Sequence, residues 1–186
     1  MEAVKEIKLN KIAKIILVAV LGTLLLTISA KIKIPFYPVP MTMQTFMVLF
    51  LGITLGPKIG LLTISLYLFE GIFGLPVFAG TPEKGIGLIY FTGPTMGYLI
   101  GFLVAVYFAG SFKYDKGIIN TFLKLIFSIS FVYILGMIWL GILIGWDKPI
   151  FKLGAEPFLL AELFKILLLL FLTPTLIKAK KLIKII

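Results

Sequence analysis

The stretch Pro157-Phe-Leu-Leu-Ala-Glu-Leu-Phe-Lys-Ile-Leu-Leu-Leu-Leu-Phe-Leu-Thr173 is apolar enough to cross a bilayer, yet it carries Glu162 and Lys165. A charged side chain at mid-membrane depth costs about 2.5–3.5 kcal/mol on insertion scales, so it normally faces a bundle interior or a water-filled cavity. A spacing of three residues places both charges on one helix face. The stretch therefore predicts a transmembrane helix whose charges either bind a polar solute or form an ion pair that only fixes helix packing.

The composition is that of an integral membrane protein. Of the 186 residues, 60% are hydrophobic and 14% are charged, and the mean hydropathy is +1.13, well outside the range of soluble domains. The apolar runs are about 20 residues long, which indicates helices and not the short alternating strands of a barrel. We expect one domain over residues 1–186, an all-α bundle of six transmembrane helices at about 12–30, 43–56, 59–73, 93–110, 118–145 and 157–177.

The second and third of these spans are short and meet at Leu55-Gly56-Pro57-Lys58, which predicts either a tight helical hairpin or two partly interfacial helices. Small residues recur every four positions in the fourth span, from Gly93 to Ala109, and predict close helix packing there. In the first span Ala19, Thr23 and Thr27 repeat the pattern. This second stripe predicts either packing within the chain or a docking surface for a partner protein.

Residue types that are absent limit the chemistry. The chain has no Cys and no His, which excludes disulfides, thiolate chemistry, a His general base and metal or haem ligation through these residues. No glycine-rich phosphate loop followed by Lys-Ser or Lys-Thr is present, so the chain does not itself hydrolyse ATP and an ATP-driven step requires another subunit. We expect no catalytic residues, metal or cofactor. A net charge of +10 predicts contact with anionic membrane lipids and not with nucleic acid.

The distribution of lysines predicts the orientation in the cell membrane. An even number of spans places both termini on one side of the membrane. That side would carry eleven lysines and the opposite side five, and the positive-inside rule then makes both termini cytoplasmic. The lysines on the terminus side are Lys5, Lys8, Lys11, Lys14, Lys58, Lys113, Lys116, Lys178, Lys180, Lys181 and Lys184. It follows that the Pro157 end of the last helix, with Glu162 and Lys165, opens to the outside.

The two longest loops lie on the same predicted outer side. Residues 31–41 contain three prolines, and residues 74–90 contain four glycines and two prolines. Irregular backbone near a membrane is tolerated where it packs against protein or lines a cavity, so both loops are either lids or ordinary connections. The candidate pocket residues outside the last helix are Phe36, Tyr37, Thr42, Gln44, Phe78 and Tyr90. Glu70, at the end of the third span, either is partly solvated or belongs to the site.

Several motifs together resemble one family. They are Pro38-Val-Pro-Met-Thr-Met-Gln-Thr45, Leu66-Tyr-Leu68, Gly74-Leu-Pro-Val-Phe-Ala79, Gly93-Pro-Thr-Met-Gly-Tyr-Leu-Ile-Gly-Phe102, and Pro157-Phe158 with Glu162 and Lys165. In this order along nearly the whole chain they look like the BioY family, the biotin-specific substrate-binding (S) components of energy-coupling-factor transporters. The resemblance implies six helices, capture of biotin from outside, and transport driven by a transmembrane coupling protein and two ATPase subunits.

The chain departs from the family pattern at two places. The family's last motif resembles Gly-Asp-x-x-Lys, whereas this chain has Ala161-Glu162 followed by Lys165. The charge and spacing are kept, but the carboxylate arm is longer by one methylene. The loop after Ala79 is also interrupted by Thr81-Pro-Glu-Lys84, where the family has a shorter glycine-rich link.

Biotin's chemistry is compatible with these residues. Its ureido group offers two N–H donors and one acceptor, and a carboxylate such as that of Glu162 can accept both N–H bonds. Lys165 would donate to either the ureido oxygen or the valerate carboxylate. Two alternatives stay open: an S component for another vitamin, and a small membrane enzyme that uses Glu162 as acid or base.

Overall fold

The polypeptide folds into helices joined by loops. The computed structural model describes residues 2–35 and 37–183, and the side chains of 11–35 and 37–178. The helices are α1 (Glu2–Lys31), α2 (Gln44–Ile72), α3 (Met96–Ser111), α4 (Gly117–Ile144), α5 (Ile150–Gly154) and α6 (Leu159–Ile183). The connections contain an antiparallel pair, β1 (Lys33–Ile34) and β2 (Met41–Thr42), and 3-10 turns at Gly87–Thr92 and Glu156–Phe158.

Helix α2 is a helical hairpin. At Gly56 the backbone has φ 77° and ψ 176°, a conformation that L side chains avoid and glycine adopts readily, and Pro57 then opens the second half. The Gln44 side chain reaches the Tyr67 hydroxyl at 2.9 Å. In a straight helix these two residues would be about 35 Å apart, so the halves 44–55 and 57–72 fold back on each other. The predicted hairpin is therefore confirmed.

Fewer helices are long enough to cross a membrane than the six that the sequence predicts. Among the described residues, four segments are long and apolar enough to cross a membrane: Lys11–Lys31, Gln44–Ile72, Gly117–Ile144 and Ile150–Lys178. Helix α3 has 16 residues, about 24 Å, less than the roughly 30 Å of a hydrocarbon core. The expectation of a helical membrane bundle is thus met. Six separate crossings are met only in part, because α3 and each half of α2 are short.

Helix α3 packs between α2 and α4. A Cβ on Gly101 would lie 2.5 Å from the Val132 Cα, and one on Gly52 would lie 2.8 Å from the Val106 carbonyl oxygen. Ala105 and the neighbouring small residues of α3 are buried in these contacts. The predicted role of this stripe in close packing is confirmed.

The small stripe of α1 faces α2 and not the surface. Ala19 and Thr23 are each 1% exposed, while Thr27 is half-buried. The Thr23 hydroxyl donates to Glu70 Oε1 at 2.8 Å, which also gives Glu70 a partner within the bundle. This placement favours packing within the chain. A role of Ala19, Thr23 and Thr27 in docking a partner therefore stays a prediction.

The loops that follow α1 and α2 meet at one end of the bundle. The Lys31 ammonium donates to the Phe78 carbonyl at 3.1 Å, and the Trp139 indole donates to the Gly93 carbonyl at 2.9 Å. The β1–β2 hairpin joins the same group through the start of α6, as described below. This end of the molecule contains the charged pair that the sequence singled out.

Candidate functional site

Glu162 and Lys165 form a buried ion pair near the start of α6. Their Oε1 and Nζ atoms are 2.7 Å apart, and the residues are only 6% and 7% exposed. Glu162 lies in the first turn of the helix, where the positive end of the helix dipole favours a negative charge. One-turn spacing and the helix dipole together place both charges on the face that looks into the bundle.

Two threonines complete the pair. The Thr45 hydroxyl donates to Glu162 Oε1 at 2.8 Å and accepts from Lys165 Nζ at 3.0 Å. Lys165 Nζ also donates to the Thr42 backbone carbonyl at 2.6 Å. An ammonium has three N–H donors, so all three donors of Lys165 are engaged within the protein.

The second carboxylate oxygen of Glu162 is the open position of this cluster. Glu162 Oε2 is buried and accepts no hydrogen bond of normal geometry from any described residue. The Tyr133 side chain interacts with the Glu162 carboxylate, but no hydrogen bond of normal length and angle joins its hydroxyl to Oε2. A buried acceptor without a donor costs about 1–3 kcal/mol, and more when it is charged. The site therefore favours a ligand that brings N–H or O–H donors.

A small cavity adjoins this oxygen. Its volume is about 50 Å³, and its wall contains both Glu162 and Lys165. Most of the wall is aliphatic or aromatic, and the polar groups converge from β2 and the start of α2. This combination of an apolar wall and a few polar groups is typical of small-molecule sites. The apolar part consists of Val39, Pro40, Met41, Ala79, Tyr90, Tyr98, Leu99, Phe102, Val132, Tyr133 and Phe158.

A chain of hydrogen bonds connects the cavity to the loop that follows α2. The Thr42 hydroxyl donates to Gln44 Oε1 at 3.2 Å, and Gln44 Nε2 donates to the Tyr67 hydroxyl at 2.9 Å. The Tyr67 hydroxyl donates to the Val77 carbonyl at 2.9 Å. Since Lys165 Nζ donates to the Thr42 backbone carbonyl, the ion pair is linked to the loop that follows α2 through three residues, Thr42, Gln44 and Tyr67.

Other side chains hold the same loop by its backbone carbonyls. The Tyr90 hydroxyl donates to the Ala79 carbonyl at 2.8 Å. Lys31 Nζ donates to the Phe78 and Thr81 carbonyls at 3.1 and 3.2 Å. The loop is therefore positioned by side chains from α1, α2 and the turn at Gly87–Thr92, and not by regular secondary structure.

The structure brings most of the predicted site residues together. Glu162, Lys165, Thr42, Gln44 and Tyr90 all line the cavity. Their position in the cavity wall is established, and their contact with a ligand stays a prediction.

Two predicted site residues lie elsewhere. The Phe78 ring is 1% exposed and packs behind the cavity wall, 4.8 Å from the Tyr90 ring and 5.2 Å from the Tyr67 ring. Tyr37 is 90% exposed and lines no cavity among the described residues. Phe78 is therefore part of the core, whereas Tyr37 is exposed. Phe36 lies outside the described residues.

Sequence reasoning missed several cavity residues. Thr45 belongs to the motif of residues 38–45, and a hydroxyl three residues after Thr42 could have drawn attention to it. Tyr98 and Tyr133 had no such signal, because each is one aromatic residue among many in an apolar helix. No group of three or more acidic side chains among the described residues could hold a metal ion.

Comparisons with known proteins agree with one another. A family model described as the BioY family matches residues 3–182. The chain is 35% identical to the probable biotin transporter BioY of Pyrococcus horikoshii over 82% of its length and 90% of that protein. It is 34% identical to the biotin transporter BioY of Thermotoga maritima over 77% of its length and 84% of that protein. A crystal structure of the S-component for biotin from an ECF-type ABC transporter superposes with a TM-score of 0.75 at 25% identity, covering 91% of this chain and 93% of that one.

Proposed function

This chain belongs to the BioY family, and on that premise we propose that it captures biotin at the outer face of the cell membrane and mediates its uptake. It would act as the substrate-binding component of an energy-coupling-factor transporter. Its relatives are named as biotin transporters, and the similar crystal structure is that of an S-component for biotin. Membership of a transporter family assigns the chain to transport and not to catalysis.

The observation that carries the proposal is the second carboxylate oxygen of Glu162, which accepts no hydrogen bond of normal geometry from the described residues. Oε2 is an ionisable acceptor, buried beside a small, mostly apolar cavity. The ureido group of biotin brings two N–H donors, and a carboxylate oxygen accepts such donors well. Charge-assisted hydrogen bonds of this kind contribute about 1.5–3 kcal/mol each.

The polar cluster would hold the Glu162 carboxylate in one position. Thr45 and Lys165 both donate to Oε1, which leaves Oε2 for the ligand. Because the donors that fix the carboxylate are already in place, little ordering is required when the ligand binds, and the affinity is correspondingly higher.

Binding requires the outer loops to move. A cavity of about 50 Å³ is well below the roughly 300–1,000 Å³ of sites for small organic ligands. The loop after α2 is held through Tyr67, Tyr90 and Lys31, so it can detach and reattach without unfolding a helix. We assign this loop and the β1–β2 connection to the lid of the site.

The energy for uptake would come from other subunits. The sequence contains no ATP-binding loop, and we propose that a transmembrane coupling protein and two ATPase subunits drive release inward. Six crossings, with α2 contributing two and α3 one, would place both termini in the cytoplasm and the site outside.

The two alternatives are weaker. An S component for another vitamin would share the fold, but the ordered motifs of the sequence and the relatives named as biotin transporters favour biotin. A membrane enzyme using Glu162 would need a second catalytic group. Among the described residues the other polar groups of the cavity are threonines, tyrosines, Gln44 and Lys165, and Lys165 is held in an ion pair.

Equilibrium binding of labelled biotin to the purified protein tests the proposal. We expect Glu162→Ala to weaken binding at least about tenfold, because the ureido donors lose a charged acceptor. Glu162→Asp should cost less, since it keeps the charge and has the family's own residue. Binding of riboflavin or thiamine in place of biotin, or unchanged biotin affinity in Glu162→Ala, would contradict the assignment.

A further inference from the structure

A second cavity lies beside the first, between the β1–β2 hairpin and α6. It has a volume of about 370 Å³, and Ile34, Phe164 and Leu168 give it a largely apolar wall. We call it the lateral cavity; its lining is Ile32, Lys33, Ile34, Met41, Thr42, Met43, Ala161, Phe164, Lys165 and Leu168. No side chain of the described residues fills this cavity.

The two cavities share a wall. Met41, Thr42 and Lys165 line both of them. The hydrogen bond from Lys165 Nζ to the Thr42 carbonyl, 2.6 Å long, is part of this wall. A shift of the β1–β2 hairpin away from α6 would break this bond and open the shared wall, and the lateral cavity alone is within the size range of sites for small organic ligands.

Lys33 is the free cation of the lateral cavity. Lys165 is the other cation in its lining, and its three donors are engaged. The Lys33 side chain forms no hydrogen bond or ion pair with another described residue. Lys33 pairs with Thr42 across the two strands, and directly paired residues project from the same face of a sheet. The Lys33 side chain therefore projects from the same face of the hairpin as the Thr42 side chain, which lines both cavities.

We propose that the lateral cavity binds the acidic side arm of the ligand, and that Lys33 binds the carboxylate at its end. This inference rests on the proposed function, in which biotin is the ligand. Biotin carries four methylenes and a carboxylate beyond its bicyclic ring. The methylenes require an apolar channel, and the carboxylate requires a cation.

The charge of Glu162 gives the ligand its direction. A carboxylate in the first cavity would face the Glu162 carboxylate, and two like charges at close range in a dry site repel strongly. The ureido group, which brings donors, is the end that Glu162 binds. The arm then leaves past Met41 and Thr42, and its anionic end reaches Lys33 at the exposed rim.

Two ligands separate this role from a merely structural one. The test measures the affinities of biotin and of its alcohol analogue, biotinol, which keeps the ring and the arm but lacks the charge. In the unaltered protein we expect biotin to bind about three- to tenfold more tightly, a modest ratio because the pair is partly exposed. In Lys33→Met the ratio should fall to about one, with biotinol affinity unchanged. Lys152→Met removes an exposed lysine of α5 that lines neither cavity and should keep the full ratio.

A second variant tests the path of the arm. Ala161 lines the lateral cavity but not the first one. Ala161→Leu should lower biotin affinity at least about fivefold, because the added volume obstructs the arm. The affinity for a biotin analogue that has the bicyclic ring but no side arm should stay unchanged.

The outcomes distinguish the two proposals. If the unaltered protein does not bind biotin, the proposed function itself is wrong. If biotin binds but Lys33→Met keeps the full biotin-to-biotinol ratio, or loses both ligands equally, only the arm site is wrong. Unchanged biotin affinity in Ala161→Leu would likewise show that the arm of the ligand does not occupy the lateral cavity.

Discussion

The ion pair of Glu162 and Lys165 makes a quantitative prediction about stability, separate from ligand binding. Lys165→Met leaves the Glu162 carboxylate buried without its cation and removes three hydrogen bonds. Breaking a buried pair by removing one partner costs about 3–5 kcal/mol. A chain of this size loses about 2–4 °C of Tm per kcal/mol, so Tm should fall by roughly 10 °C. Methionine suits a membrane better than lysine does, but this gain is smaller than the cost of an unpaired buried carboxylate.

The double variant Glu162→Gln/Lys165→Met separates pairing from packing. With both charges gone, no uncompensated charge stays in the bundle, and replacing a whole buried pair is often neutral or stabilising. We expect a Tm within about 4 °C of the unaltered protein. Biotin affinity should nevertheless stay at least tenfold reduced, because the charged acceptor is missing.

The chain contains a matched control. Lys148 and Asp147 form an ion pair of similar length, 3.0 Å, whose side chains are 56% and 72% exposed. Exposed pairs contribute about 0–1 kcal/mol, so Lys148→Met should lower Tm by no more than about 4 °C. Thermal unfolding of the ligand-free proteins in one detergent, followed by intrinsic fluorescence at a fixed scan rate, provides the measurement. The reasoning is refuted if Lys165→Met is no less stable than Lys148→Met, or if the double variant is as unstable as Lys165→Met.

Three further predictions concern the hydrogen-bond chain from the cavity to the loop after α2, the membrane topology, and the surface that docks the coupling protein. Tyr67→Phe keeps the ring but leaves the Gln44 amide and the Val77 carbonyl without the hydroxyl that joins them, so biotin affinity should fall about three- to tenfold. The control Tyr114→Phe removes a hydroxyl-to-carbonyl hydrogen bond of 2.7 Å away from the site and should leave biotin affinity unchanged. Equal effects of the two variants would contradict a role of this hydrogen-bond chain in binding. A single cysteine replacing Lys148 should react with an impermeant thiol reagent in intact cells and one replacing Lys180 should not; the reverse labelling would invert the topology. Thr27→Trp adds bulk at the half-buried member of the α1 stripe, and should spare biotin binding while reducing co-purification with the coupling protein and ATPases; normal yield would move the docking surface elsewhere.

Helix positions were largely predictable because they depend on local sequence. Long apolar runs set the helices, and the predicted spans agree with the described ones to within a few residues over most boundaries. The turn at Gly56 was predictable for the same reason, since a Gly-Pro pair between two apolar runs interrupts a helix whatever surrounds it. The family prediction from ordered motifs is confirmed by the matching family model.

Positions on the loops were less predictable. Phe78 and Tyr37 occur in similar loops rich in proline, yet one is buried behind the cavity and the other is 90% exposed. The residues next to Phe78 and Tyr37 in the sequence do not indicate which of the two is buried. The difference arises because the Phe78 loop is drawn inward by hydrogen bonds from Lys31, Tyr67 and Tyr90, which come from distant parts of the chain.

The sequence by itself determined that this is a helical membrane protein, and that Glu162 and Lys165 share one helix face. The reason is that hydrophobicity and helical spacing act over a few turns, within the reach of local sequence. Only the tertiary structure decided which atom of the pair is free. Thr42 and Thr45 are more than a hundred residues from α6, and their contacts occupy Lys165 and Glu162 Oε1. The opening left at Oε2 depends on how the α2 hairpin and β2 pack against α6, a long-range arrangement that no local pattern specifies.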